Sequence, residues 1–108
     1  MTVKELIEKL DLEALTATDP EREVTGAYAG DLLSWVMGRA QSGDAWITIM
    51  TNINTVAVAS LADVACVILA ENCEIEQDVV KTAEAKGINL LRGAETTYEL
   101  CAALSDLI

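Results

Sequence analysis

Apolar positions recur along the chain with two different periods, which predicts a mixture of helices and strands. Residues 3–10 place apolar side chains at i, i+3, i+4 and i+7, which is one face of a helix. Thr2 and Glu5 form the capping box expected at the start of that helix. By contrast, residues 45–50 and 65–70 are largely apolar at odd and even positions alike. Since these positions face opposite sides of a strand, the pattern is typical of strands that are buried on both faces.

Shorter segments complete an alternation of strand and helix. They are, in chain order, strand 23–28, helix 32–37, helix 55–61, helix 76–86, strand 88–91 and helix 96–107. Residues 15–22 are polar and hold the only proline, Pro20, so they are predicted to form a loop. Four strand–helix alternations predict a small three-layer α/β sandwich with a mostly parallel sheet of about four strands. We expect the two apolar strands to be central and the shorter strands peripheral.

Polar residues that precede the helices are predicted to be N-caps. Asp31 precedes the second helix and Asn54 precedes the third. Thr96 and Glu99 form a second capping box at the start of the last helix. Residues 55–61 also fit a strand, but small alanine-rich segments pack well on a sheet and the next run must be a strand. We therefore favour a helix there.

Length and charge limit the classes of function. The 108 residues are 52% apolar, so we expect one domain, residues 1–108, with a real core. Eighteen acidic against seven basic side chains give a net charge of -11, which argues against nucleic acid and anionic membrane surfaces as partners. The absence of histidine excludes an imidazole base and histidine-ligated metal sites.

The cysteines and the chain start favour a cytoplasmic protein. The N-terminus is charged and amphipathic, unlike a secretory signal, and the apolar stretch 56–70 is shorter than the ~20 residues of a membrane span. Three cysteines without a C-x-x-C spacing indicate a reducing compartment. Cys66 and Cys101 are predicted to be core residues. Cys73 lies beside two glutamates that would raise its thiol pKa, so we do not expect it to be a reactive thiolate.

Ligands of open parallel sheets bind in the crevice at the carboxyl ends of the strands. The residues predicted to contact a ligand there are Gly30, Asp31, Thr51, Asn54, Arg92 and Thr96. Helix N-termini and the Arg92 guanidinium favour a small metabolite, a small anion or a nucleotide. However, Asp31, Glu71 and Glu95 crowd the same edge and oppose a highly charged anion, and each polar residue also has an ordinary role as a cap.

No catalytic motif is present. The chain has no G-K-[ST] P-loop, no G-x-G-x-x-G after a strand and no G-x-S-x-G elbow, and most carboxylates fall on solvated helix faces. We therefore predict no catalytic residue, no metal ligand and no cofactor. Three functions stay open: a regulatory or interaction module, a ligand-free subunit that meets a basic partner in a larger complex, and a carboxylate- and metal-dependent enzyme. The first is favoured, and the third is the least supported.

The two tryptophans have different expected roles. Trp46 begins a buried strand and is predicted to belong to the core. Trp35 lies on a short helix that is apolar nearly all round, and such a helix often covers another surface. We therefore expect a self-association surface and a homodimer. The alternative is that these residues simply complete a small core.

Residues 21–28 followed by 30–34 resemble the DRTGG domain, and the resemblance covers essentially the whole chain. Other matching segments are 46–48, 54–59, 65–69, 85–88 and 96–99. Glu21 stands where the family has Asp, and Ala27 replaces the second Gly of the motif. The resemblance implies an α/β layer fold similar to the N-terminal domain of HPr kinase/phosphorylase, whose P-loop lies in a separate domain. It also implies a regulatory or dimerising role, as in modules beside CBS domains, with no settled catalytic residues.

Overall fold

The computed structural model describes residues 1–108 and contains five helices and five strands. In chain order they are α1 (Val3–Leu10), β1 (Glu13–Thr16), β2 (Gly26–Ala29), α2 (Leu33–Arg39), β3 (Asp44–Thr48), α3 (Ile53–Ala62), β4 (Cys66–Leu69), α4 (Gln77–Ala85), β5 (Leu90–Arg92) and α5 (Thr97–Ser105). The strand order is β1-β5-β4-β3-β2. β2, β3, β4 and β5 are parallel, and β1 is antiparallel to β5. The predicted α/β fold with a mostly parallel sheet is confirmed.

Helices cover both faces of the sheet, which produces three layers. One apolar cluster joins α1 and α5 to the sheet through residues such as Ile47, and a second joins α2, α3 and α4 through residues such as Trp46. Neighbouring positions of β3 therefore contribute to opposite clusters. This explains why β3 and β4 are buried at every position and confirms that both lie inside the sheet.

The prediction of a loop over residues 15–22 is wrong at its start, because β1 adds a fifth strand. β1 is short, and its register shifts between Ala14 and Thr16, so it lacks a regular apolar alternation. The buried Thr16 hydroxyl donates to the Ile88 carbonyl and accepts from the Leu90 N–H at 2.9 Å. Because β1 covers β5, the short strand β5 is internal and not peripheral as expected.

Asn89 fixes the long connection between β1 and β2. Its side-chain Oδ1 accepts from the Asp19 N–H at 2.9 Å, and its Nδ2 donates to the Asp19 carbonyl at 2.8 Å. Nδ2 also donates to the Ala65 carbonyl at 3.0 Å. Asn89 is buried, and its bond to the Ala65 carbonyl satisfies a backbone group in the interior. One side chain thus joins the connection to the two segments that enter β4 and β5.

The ends of the predicted strands and helices differ from the observed ones by at most three residues. β2 begins at Gly26 and not at residue 23, and α2 continues through Gly38 to Arg39, so Gly38 does not end the helix. A methyl group on Gly26 would lie 2.7 Å from Asp44 Oδ1, so a larger residue there requires the Asp44 carboxylate to move. None of the helices, of which the longest has 10 residues, meets the length and hydropathy needed to span a bilayer.

Asp63 carries a pH-dependent part of the stability. It ends α3 in the left-handed conformation, and it accepts hydrogen bonds from Ser42 and, at 3.1 Å, from the Arg22 guanidinium. The Ser42 hydroxyl and then Arg22 lower the pKa of this carboxyl. A lowered folded-state pKa stabilises the protein above the ordinary Asp pKa, and that stabilisation is lost as the pH falls through the lowered value.

We therefore expect Asp63→Asn to cost on the order of 0.5 kcal/mol of unfolding free energy at neutral pH, because the pair is solvent-exposed. The difference from wild type should vanish as the pH falls below the lowered pKa. Urea denaturation at several pH values measures it. Asp11→Asn is the matched control, since Asp11 also ends a helix in the left-handed conformation but accepts no side-chain hydrogen bond. Equal pH profiles for the two variants would contradict the assignment.

Candidate functional site

The carboxyl ends of β3 and β4 open into a cleft between α3 and α4 with a volume of about 780 Å³. One wall consists of residues 49–53, which connect β3 to α3. The other wall consists of residues 74–76 and the first two turns of α4, including Val79 and Thr82. A smaller groove of about 310 Å³ lies between β2 and α5 and has an almost wholly apolar lining. The larger cleft therefore lies at the carboxyl edge of the sheet, the edge at which parallel sheets hold ligands. The strand order does not reverse between β3 and β4, so the cleft is formed by two neighbouring βα connections on one face of the sheet.

The first wall is held by the start of α3. Asn52 is the N-cap, and its Oδ1 accepts from the Asn54 N–H at 2.9 Å. The Thr55 hydroxyl donates to the Met50 carbonyl at 3.0 Å and holds the connection against the helix. The prediction that Asn54 is the N-cap is wrong, because α3 begins earlier, at Ile53, and it is Asn52 that has the extended backbone of a cap.

The second wall is held by the neighbouring connection between β5 and α5. Glu71 and Asn72 both have positive φ, which turns the chain sharply after β4. Their N–H groups donate to the carbonyls of Glu95 and Gly93, each at 2.8 Å. Glu76 is the N-cap of α4 but makes no side-chain cap hydrogen bond. The carboxylate of Glu76 is therefore free to face a ligand.

The cleft is acidic. Glu74, Glu76 and Asp78 contribute three carboxylates to its second wall. None of them forms an ion pair, because the ion pairs of the structure are Met1–Glu23, Arg22–Asp63 and Arg92–Glu13. Apolar side chains lie beside these charges, and Ile49 and Ile53 are 43% and 48% exposed. The lining thus combines three carboxylates that form no ion pair with exposed apolar side chains.

The structure brings Thr51 into the cleft wall and places Asn54 just outside it, exposed on the first turn of α3. The Arg92 side chain lies beside the second wall and bonds to its backbone. Arg92 Nη1 donates to the Cys73 carbonyl at 3.0 Å. Its Nε and Nη2 donate to the Glu13 carboxylate at 3.1 and 2.9 Å. The Arg92 guanidinium therefore already has protein partners.

Asp31 does not cap α2, contrary to the prediction. Its Oδ1 accepts from the Thr48 hydroxyl at 2.8 Å and from the Ile49 N–H at 3.0 Å, so it joins the ends of β2 and β3. Leu32 occupies the N-cap position without a side-chain hydrogen bond. The neighbouring Gly30 carbonyl accepts from Trp46 Nε1 at 2.9 Å. Asp31 thus positions the first wall of the cleft through Ile49.

Thr96 acts as the N-cap of α5, as predicted. Its hydroxyl accepts from the Glu99 N–H at 3.1 Å, and the Glu99 carboxylate accepts from the Thr96 N–H at 3.0 Å. The same reciprocal pair joins Thr2 and Glu5 at α1. Both capping boxes predicted from the sequence are confirmed.

The thiols are poor nucleophiles in this structure. Burial raises the pKa of Cys66 to about 12 and also raises the pKa of Cys101. The pKa of Cys73 is raised by burial first and then by the charges of Glu71 and Asp31. No cluster of three acidic or cysteine side chains lies close enough together to hold a metal ion. The arrangement can bind and position a molecule, but it offers no activated nucleophile.

The sequence reasoning missed Asn52 as the cap and the three carboxylates of the second wall as lining residues. Glu74, Glu76 and Asp78 alternate along the chain in the segment that leads from β4 into α4, which is a signal that could have indicated this wall. The signal is weak, because acidic residues at the start of a helix are usually solvated.

The fold defines the chain as a small three-layer α/β domain with one antiparallel edge strand. The sequence model of the DRTGG domain matches residues 5–107, and the chain belongs to the DRTGG domain family. The predicted resemblance is therefore confirmed.

The fold is also similar to a crystal structure of the CBS and DRTGG domains of the regulatory region of Clostridium perfringens pyrophosphatase, complexed with its activator, diadenosine tetraphosphate. The TM-score is 0.71 at 11% sequence identity. The alignment covers 95% of this chain but only 45% of that one, so the chain spans less than half of its structural neighbour. No protein of curated function matches the sequence significantly.

Proposed function

We propose that the chain is a non-catalytic regulatory module that binds a small-molecule ligand, a metabolite or a nucleotide, at the carboxyl edge of its sheet. The observation that carries this proposal is the cleft between α3 and α4, whose volume of about 780 Å³ is that of a small-molecule site. The pyrophosphatase neighbour, whose regulatory region was crystallised with an activator, supports a regulatory role. Three free cysteines support a cytoplasmic location.

The six residues predicted from the sequence divide into two proposed roles. Thr51 is the direct contact, and Asn54 extends the polar surface beside it. Gly30, Asp31, Arg92 and Thr96 are proposed to border the ligand site and to position the loops around it. Asp31 supports this role through the Ile49 N–H of the first wall, and Arg92 through the Cys73 carbonyl beside the second.

A thermal-shift screen against nucleotides, including diadenosine tetraphosphate, and small metabolites tests the proposal. A ligand at about 100 times its Kd stabilises the folded state by roughly 2.7 kcal/mol and should raise the Tm by about 10 °C. Thr51→Tyr fills the cleft and should abolish the shift. Thr18→Tyr, on the exposed part of the β1–β2 connection, should retain it. No shift with any compound, or a shift that survives Thr51→Tyr, would refute a ligand site in the cleft.

A second candidate function is a ligand-free interaction subunit that forms a homodimer. The observation that favours it is apolar exposure on α2 and α3, where Trp35 is 52% and Leu61 is 72% exposed. α3 carries no charged residue in a chain of net charge -11, so its outer face is a place where two copies can meet without facing carboxylates. Light scattering should then give twice 11.5 kDa. A monomer mass at working concentration would refute the dimer.

A further inference from the structure

The chemistry of the cleft lining selects among ligands. Its walls expose apolar surface at Ile49 and Ile53, and its α4 side carries Glu74, Glu76 and Asp78 without a basic partner. A polyphosphate would meet three uncompensated carboxylates there. A ligand with positive charge would meet carboxylates that form no ion pair, and its apolar parts would displace water from the isoleucine side chains.

The carboxylates are distributed along the wall. Glu74 and Glu76 flank Ile75 in the segment before α4, and Glu76 has an extended backbone with φ -73 and ψ 145. Asp78 follows in the first turn of the helix. With the rise per residue of an extended chain up to Glu76 and of a helix after it, the Cα atoms of the three residues span about 10 Å along the chain. Charges spread in this way match a linear cation with separated charges better than a compact ion.

We propose that the cleft takes a linear organic polycation, in which ammonium groups are separated by short methylene chains. The ammonium groups donate hydrogen bonds to the carboxylates of the α4 wall. The methylene chains pack on the apolar side chains between and opposite the carboxylates, namely Ile53, Ile75 and Val79. This inference rests on the proposed function, because it names the ligand class of the same cleft.

Spermidine is the probe, and the hexaamminecobalt(III) ion is its control. Both carry three positive charges, but the cobalt complex is compact and has no methylene groups, so it reports simple attraction to an acidic protein. Isothermal titration calorimetry in about 0.15 M salt, where surface attraction is largely screened, should show spermidine binding at least about tenfold more tightly. Burial of two methylene groups is sufficient for that factor. Equal affinities would overturn the proposal.

A charge-matched pair of variants locates the site. The triple variant Glu74→Gln, Glu76→Gln and Asp78→Asn removes the carboxylates of the cleft and should weaken spermidine binding at least about tenfold. Thr82→Lys provides an independent block, because it places an ammonium group in the cleft one turn beyond Asp78 and lysine is a good helix former. It should compete with spermidine to a similar extent while keeping the native circular dichroism spectrum.

The control triple variant is Glu8→Gln, Glu21→Gln and Asp106→Asn, which removes the same charge from exposed positions outside the cleft. It should keep spermidine affinity within about twofold. Equal losses in both triple variants would overturn the proposal. If spermidine does not bind, but a compound of the screen binds and Thr51→Tyr blocks that binding, the ligand site in the cleft is supported and the proposed polycation class is wrong. If nothing binds, both proposals fail.

Discussion

Replacement of Trp46 with alanine is expected to lower the free energy of unfolding by about 3–5 kcal/mol. Trp46 is fully buried in β3, where it packs between the sheet and the helix layer that contains Val36 and Val56. Its Nε1 also donates to the Gly30 carbonyl at 2.9 Å, so alanine leaves a cavity and an unpaired acceptor. Because a domain of this size has only about 5–15 kcal/mol of stability, the Tm should fall by roughly 15 °C or more.

Trp35→Ala is the matched control, since it deletes the same side chain from an exposed site. Its ring is about half exposed and lies 3.7 Å from the Arg39 guanidinium carbon, so we expect a loss of less than about 1 kcal/mol. Urea or guanidinium denaturation followed by circular dichroism measures both variants. Similar losses for Trp35→Ala and Trp46→Ala would contradict the placement of Trp46 at the centre of the core.

Asn89→Ala is expected to cost about 3 kcal/mol of unfolding free energy. The substitution removes three hydrogen bonds, which the Asp19 N–H, the Asp19 carbonyl and the Ala65 carbonyl make with the Asn89 side chain. The Asp19 carbonyl keeps the Arg22 N–H as a donor at 3.2 Å. The Asn89 side chain and its bond to the Ala65 carbonyl are buried, so alanine leaves a gap and an interior acceptor without its donor, and the connection between β1 and β2 loses its attachment. Hydrogen exchange should therefore accelerate first at the Asp19 amide.

Asn54→Ala serves as the control for Asn89. The Asn54 side chain is exposed on α3 and makes no hydrogen bond, so alanine should leave the stability unchanged or raise it slightly through helix propensity. Chemical denaturation of both variants provides the comparison. A loss below about 1 kcal/mol for Asn89→Ala would show that the connection is not held by this side chain.

Elements whose signal is local were predictable from the sequence. The central positions of β3 and every position of β4 are apolar because both faces of these strands are covered. The capping boxes at Thr2 and Thr96 depend only on residues three positions apart. β1 was not predictable, because its pairing depends on β5, more than seventy residues away, and on the Thr16 hydroxyl that bonds across the register shift. Neither feature leaves a periodic pattern in the sequence.

The candidate site was predictable in its location but not in its lining. Alternation of strand and helix places βα connections at one edge of the sheet, so the position of Thr51 follows from chain order. The partners of Asp31 and Arg92 do not follow, because a carboxylate or a guanidinium bonds to whichever backbone groups the tertiary fold brings near. The second wall also depends on the left-handed turn at residues 71–72, which the sequence did not indicate.

A ¹⁵N–¹H NMR titration of the chain tests the ligand site between α3 and α4 most directly. The titrant is spermidine or the compound of the screen that raises the Tm most. We expect amide shift changes to concentrate in residues 49–53 and 74–79, the two walls of the cleft. Saturable changes confined to the groove between β2 and α5, or to the outer face of α2, would contradict it.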